Sequence, residues 1–179
     1  MPGSAQVALR PRTKADHNTP DPVLDVIRKV RRIGLDPCSN RWSRVGALVE
    51  LDLDRGDNGL VASWQGHGLC FPNPPYTAGQ IPQWVDKAIR EAAQSAREGR
   101  RDETIMLVPA DCSTTAFQTA WGSVAAVCLW GSRIQFRGAD RNGNPWPSVF
   151  WYWGHRAHRF CHIFEQHGIV ESFGRRLAA

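Results

Sequence analysis

No segment of this 179-residue chain is apolar over the length needed to cross a bilayer. The N-terminus lacks the apolar stretch of a secretory signal, so a cytoplasmic location is expected. There is no internal repeat and no low-complexity tract. Cysteine is sparse: Cys38, Cys70, Cys112, Cys128 and Cys161 make an odd, widely spaced set without C-x-x-C. That pattern argues against a disulfide framework and against a cysteine zinc site. Cys70 and Cys128 lie in strand-like apolar runs and read as small core residues.

What remains is a chain of ordinary hydrophobic content, long enough for one sizeable core. Residues 1–17, with Pro, Gly, Ser and scattered charge, are expected to be a disordered leader. Residues 18–179 are expected to form one domain. The net charge of +5 suits a polyanionic partner, but equally a generally basic surface.

Apolar periodicity alternates between strand and helix. Helices are expected over Asp21–Arg32, Ile81–Glu98, Thr114–Val124 and Ala157–Gln166. Thr19 or Asp21 should cap the first, and Trp84, Ala88, Ala92 and Ala96 should form the buried stripe of the second. Strands are expected at Ile33–Leu35 (ending at Asp36), Ala47–Leu51, His67–Phe71, Thr104–Val108, Ala125–Trp130, Ile134–Phe136 and Ser148–Trp153. The alternation predicts an α/β sheet with helices on its faces. Few residues separate Asp36 from Ala47, so that crossover must be reduced, without a full helix.

The most informative segment is Asn73-Pro74-Pro75-Tyr76, between the run Leu69-Cys70-Phe71 and a helical pattern. Two prolines fix two φ angles and remove two donors, and Asn73, preceding proline, is held extended. The carbonyls of Asn73 and Pro74, with the Asn73 amide oxygen, are acceptors for an exocyclic amine, and Tyr76 offers a flat stacking face.

Asn-Pro-Pro-Tyr is the catalytic motif of S-adenosylmethionine-dependent amino-methyltransferases. Other segments agree in order and spacing across roughly residues 17–155. His17-Asn18-Thr19-Pro20 resembles the N-terminal cofactor motif of adenine-N6 DNA methyltransferases, and Gly34-Leu35-Asp36-Pro37-Cys38 their first cofactor motif. Val108-Pro109-Ala110, Gly131–Phe136 and Pro145-Trp146-Pro147-Ser148 resemble later segments of the small phage-type enzymes. The chain is similar to that Dam-like family of bacteria and their phages.

The resemblance implies a reduced Rossmann-like methyltransferase core with a mostly parallel central sheet flanked by helices. It implies S-adenosylmethionine as cofactor and double-stranded DNA with a flipped adenine as substrate. Asn73, Pro74, Pro75 and Tyr76 would be catalytic. Thr19, Pro20, Asp36, Cys38, Glu50, Asp57 and Asn73 would hold the cofactor. Asp36 would meet its ammonium group and Glu50 its ribose. Asp36 is equally readable as a turn aspartate, Glu50 as a solvated strand-end charge, and Asp57, beside Asn58-Gly59, more readily as part of a turn. RNA adenine, cytosine N4 and a protein glutamine are alternative acceptors for the same cradle. A basic nucleic-acid-binding module without turnover is an alternative of another class.

The departures are specific. The glycine-rich loop common in larger methyltransferases is replaced after Asp36 by Pro37-Cys38-Ser39-Asn40. No insert is large enough for a separate target-recognition domain. DNA contacts are therefore expected from Arg133 and Arg137, which are equally readable as edge-strand charges, and from the tail residues Arg156 and Arg159. His155, His158 and His162 share one helical face, but no carboxylate or second cysteine completes a recognisable ligand set, so no metal is assigned.

Overall fold

A computed structural model describes residues 18–76, 79–138 and 146–174. The expected leader, 1–17, lies outside the described residues. Helix α1 (Asp21–Val30) buries Val23, Leu24, Val26, Ile27 and Val30 on one stripe. No side chain caps it. Pro20 occupies the cap position, and its carbonyl accepts the amides of Val23 and Leu24 at 3.0 and 3.1 Å. The cap expected from Thr19 or Asp21 is therefore absent, because proline already supplies the entry φ.

Strands β1 (Leu35–Ser39), β2 (Val49–Asp52), β3 (Leu69–Cys70) and β4 (Glu103–Pro109) are parallel neighbours. Strands β5 (Ala126–Trp130), β6 (Ser148–Trp153) and β7 (Gly168–Ser172) complete a seven-stranded sheet of order β2-β1-β3-β4-β6-β5-β7. Strand β6 is antiparallel to both β4 and β5, and β7 is antiparallel to β5. The sheet is thus parallel from β2 to β4 and reverses at β6 and β7. The β1–β2 crossover, residues 40–48, is an irregular loop without a helix.

Alternation along the strands splits the core into two layers. Ile105, Leu107, Phe150 and Tyr152 face α1 and helix α4 (Ala157–Phe164). Met106, Val108, Val127, Trp151 and Trp153 face α2 (Gln80–Arg97) and α3 (Thr115–Ser123). This is the expected α/β architecture, a Rossmann-like methyltransferase fold.

Some local expectations are corrected. The first strand does not stop at Asp36 but runs through it to Ser39, and its register with β2 shifts between Asp36 and Ser39, where Pro37 has no amide to give. Ile134–Phe136 is not a strand: Ile134 and Phe136 are buried as a loop, and the sheet position beside β5 is taken by β7, which the sequence did not reveal. The buried face of α2 is also rotated. Ala96 is exposed, whereas Lys87, Glu91 and Ser95 are buried. Lys87 Nζ meets Glu91 Oε1 at 2.5 Å, and Glu91 Oε2 also accepts the amides of Trp64 and of the Gln65 side chain. Paired and hydrogen-bonded, these charges are tolerated where an unpaired one would not be.

Candidate active site

β1 and β3 are adjacent, while the chain between them visits β2 on the far side of β1. That reversal opens a crevice beyond the carboxyl ends of the strands, where open α/β sheets bind ligands. The proline corner lines it. Phe71 donates its amide to Leu35 O at 2.9 Å, and Pro72 O accepts the Leu107 amide at 3.1 Å. The chain is therefore pinned to β1 and then to β4 just before Asn73. Pro74 is buried, and Asn73, Pro75 and Tyr76 are half-buried.

The Asn73 side-chain amide donates to Thr19 Oγ1 at 3.1 Å. Thr19 is itself buried. This bond turns the acceptor Oδ1 of Asn73 away from Thr19. The residues around Thr19 are anchored in turn: Asn18 and Arg137 exchange backbone hydrogen bonds at 3.2 and 2.8 Å, and Asn40 Nδ2 donates to Asn18 Oδ1 at 3.0 Å. Asn18 and Asn40 stand in the motif segments, but the sequence assigns neither a role. Their signal, an isolated bridge between distant segments, has no local pattern.

Tyr76 packs edge-on against Phe136, with centroids 5.9 Å apart and planes at 88°. Its hydroxyl is buried, and that burial keeps it neutral far above neutral pH. The ring also lines a cavity of about 430 Å³ between α2, β4 and α3, with Val108, Asp111, Phe117, Trp146 and Trp151 among its walls. Asp111 Oδ1 accepts the Ser113 amide at 3.1 Å and its hydroxyl at 2.6 Å.

Asp36 lies on β1 opposite Glu50 on β2. It is buried and accepts the Cys38 amide at 3.0 Å and the Ser43 hydroxyl at 3.3 Å. Burial pushes its pKa up to about 7, against the Cys38 amide bond, which lowers it; nearby Glu50 adds to the rise. Among the described residues no cation pairs with it. Glu50 is exposed and accepts Ser39 Oγ at 3.3 Å and the Gly46 amide at 3.1 Å. The Cys38 sulfur sits against the backbone N–H of Asn73, and burial pushes its pKa up, so it is an inert neutral group.

The structure thus brings Thr19, Asp36, Cys38, Glu50, Asn73 and Tyr76 to one end of the sheet. Pro20 is spent as the helix cap. Asp57 Oδ2 accepts the Asp52 amide at 2.9 Å and closes the turn after β2. Over residues 9–159 the sequence matches the family model for DNA N-6-adenine-methyltransferase (Dam). The chain belongs to the Dam family. No curated protein matches it significantly.

For a Dam-family chain, the predicted DNA contacts fall in unlike places. Arg133 is exposed after β5, at the same end of the sheet as Asn73. Arg137 binds Asp21 Oδ2 at 3.0 Å in addition to its backbone bridge. Arg156 and Arg159 lie elsewhere, at the opposite end of the sheet. Arg156 is bound to Glu103, the first residue of β4, and Arg159 Nε donates to Val30 O at 2.8 Å. His162 Nδ1 lies 3.1 Å from Glu165, and His155 Nδ1 lies 4.0 Å from Glu103. Among the described residues no helix is long and apolar enough to cross a membrane.

Proposed function

We propose that this Dam-family chain transfers a methyl group from S-adenosylmethionine to the N6 amine of an adenine flipped out of double-stranded DNA. The observation that carries the reading is the Asn73 amide, oriented by Thr19 and set between Asp36 and Tyr76 at the crevice. The cofactor fits the residues present. A buried carboxylate with only neutral donors, and a proton affinity raised to about 7, suits an ammonium partner. Asp36 would hold that ammonium, and the exposed carboxylate of Glu50 the ribose hydroxyls. When bound, the cofactor supplies an electrophilic methyl on a sulfonium centre.

The protein's part is alignment and electrostatics. Asn73 Oδ1 and the Pro74 carbonyl accept the two amine hydrogens. That favours a more tetrahedral nitrogen, whose lone pair is otherwise delocalised into the purine. Tyr76 stacks on the base and offsets part of the cost of unstacking it. Arg133 contributes phosphate contact at the rim. The C–S bond pair would stay on sulfur as a neutral thioether, and the cationic methylated amine would shed its proton to solvent, so no step requires a metal or a strong general base.

The test is methyl-labelled cofactor with unmodified duplex DNA, followed by digestion and mass analysis of nucleosides. The expected product is N6-methyladenine, lost in Asn73→Ala. Label appearing only in RNA, cytosine or a glutamine peptide would replace the substrate. Cofactor binding without transfer to any of them would overturn the reading.

A further inference from the structure

The basic excess of the chain gathers at the end of the sheet opposite Asn73. Three segments meet there: the end of α1 with residues 31–32, the end of α2 with residues 98–103, and the turn from β6 into α4. Arg31 Nη1 donates to Arg101 O at 3.1 Å and reaches Glu103 Oε2 at 3.3 Å. Arg156 meets the same carboxylate from the other side, with its Nε 3.0 Å from Oε1. Arg159 donates to Val30 O at 2.8 Å. Pro72 accepts the Leu107 amide, so Asn73 is at least four residues further along β4 than Glu103, roughly 13 Å at the strand rise.

Lys29, Arg32, Arg97, Arg100, Arg101 and Arg159 are all exposed at this end. The carboxylates nearby are already engaged. Glu103 is taken by Arg31 and Arg156, Glu98 by Arg100 at 2.7 Å, and Asp102 by the amides of Gly66 and Gly68. Lys29, Arg32, Arg97, Arg101 and Arg159 form no ion pair among the described residues. The Asn73 end differs in degree: Arg44 and Arg137 pair with Asp21 and Arg55 with Asp52, which leaves Arg41 and Arg133 exposed there without an ion pair among the described residues.

Helix stability explains only part of the cluster: Arg159 caps the last carbonyls of α1, Lys29 O and Val30 O. Cations suit helix C-termini, which accounts for Lys29 and Arg97. Arg156 is the N-cap residue of α4, and His158 and Arg159 lie in its first turn, where the helix dipole disfavours cations. Arg32 and Arg101 lie outside any helix. None of the large exposed apolar side chains (Leu48, Val49, Val61, Trp121, Trp146, Ile169) belongs to these segments. A surface that is cationic, arginine-rich and without apolar anchors fits phosphates rather than a membrane or an apolar protein patch.

We propose that this end of the molecule is a second DNA-binding surface, which grips the phosphate backbone of a duplex segment other than the one presenting the target base. The chain would then bridge two stretches of DNA. The surface does not depend on methyl transfer, and binding can be read without turnover.

The test uses the full chain and the combined variant Arg32→Gln, Arg97→Gln, Arg101→Gln, whose residues form no ion pairs among the described residues. Two differently labelled duplexes report bridging by energy transfer. Affinity for a long duplex is followed against salt. The variant is expected to lose bridging, to bind the long duplex roughly tenfold more weakly, and to show a salt slope smaller by about 2–3. Its melting temperature and its methylation of a short duplex should match the parent. Unchanged bridging and salt slope would overturn the proposal, as would binding to phosphatidylserine vesicles by a chain that does not bridge DNA. If the parent transfers no methyl group yet bridges DNA, the catalytic reading fails and this one stands.

Discussion

Asn73 Nδ2 and Thr19 Oγ1 are 3.1 Å apart across 54 residues of sequence. The threonine therefore decides which way the amide faces. Asn73→Ala should reduce methyl transfer about 100-fold or more, as loss of one transition-state stabiliser does elsewhere. Thr19→Val keeps the shape and removes the acceptor. It should lower kcat about tenfold, with KM little changed and the fold intact. Steady-state kinetics with a melting curve check both. Near-normal kcat in Thr19→Val would mean the amide is oriented by something else.

Tyr76 is tested by comparing two substitutions. Tyr76→Ala removes the stacking face and should weaken capture of the flipped base by roughly 1–3 kcal/mol. Tyr76→Phe retains the ring and its edge contact with Phe136 and should be milder. Fluorescence of 2-aminopurine at the target position reads capture directly. Equal damage from the two would assign the effect to the hydroxyl.

Asp36 should couple cofactor binding to protons. With its pKa raised from 3.8 to about 7, the folded state holds a proton that the unfolded state releases. Its contribution to stability is greatest below 3.8 and is lost as pH rises through about 7. A bound ammonium favours the ionised carboxylate, so affinity should rise with pH up to about 7 and binding at mildly acid pH should release a proton. Calorimetry in two buffers of different ionisation heat measures that proton. Asp36→Asn should abolish its release, weaken binding and stabilise the free protein at alkaline pH.

Glu103 has the opposite sign. Burial pushes its carboxyl up, but hydrogen bonds from Arg156 and Tyr152 outweigh this and hold the pKa below 4.5. Its contribution is present above 4.5 and lost as pH falls through the lowered folded value. Glu103→Gln should cost roughly 2–3 kcal/mol, below the usual figure for a buried pair because both arginines are partly exposed. Urea unfolding at neutral pH and below pH 4 should show the difference shrinking with acid.

Arg133 and Arg137 should part company. Arg133→Gln should weaken binding to all sequences alike and lower the salt slope by about 1. Arg137→Gln loses its bond to Asp21 and should show mainly as a lower melting temperature. The expectation that no insert forms a recognition domain predicts modified adenines in short or degenerate contexts. A strict long site found by mapping modified bases would show that loops read sequence.

The sheet-forming runs were legible because burial on both faces leaves near-continuous apolar segments, as in Thr104–Val108 and Ser148–Trp153. The proline corner was legible because its constraint is covalent. Three features were not. Strand β7 is a short edge strand whose pairing with β5 compensates for a weak local pattern. Ile134 and Phe136 are buried like strand residues without pairing like them. The Lys87–Glu91 pair reads as a solvated helix face until Trp64 covers it. At the site, Asp36, Glu50 and Asn73 followed from motif resemblance, whereas the Asn18–Asn40–Thr19 support is purely tertiary. Asp57 closes the turn from Asp52, while Asn58 opens the next one by accepting the Leu60 amide.

The antiparallel insertion of β6 between β4 and β5 sets an order of assembly. Among the described residues, β4 and β5 meet only through β6, which follows both in the chain. A nascent chain that ends before Ser148 holds the four parallel strands and a lone β5, with no seam between them. Trp151, which walls the cavity beside Tyr76, comes with that same strand. During synthesis the wall beside Tyr76 is therefore missing until the ribosome has released β6, which joins β5 to the parallel strands in the same step, and β7 adds to β5 afterwards.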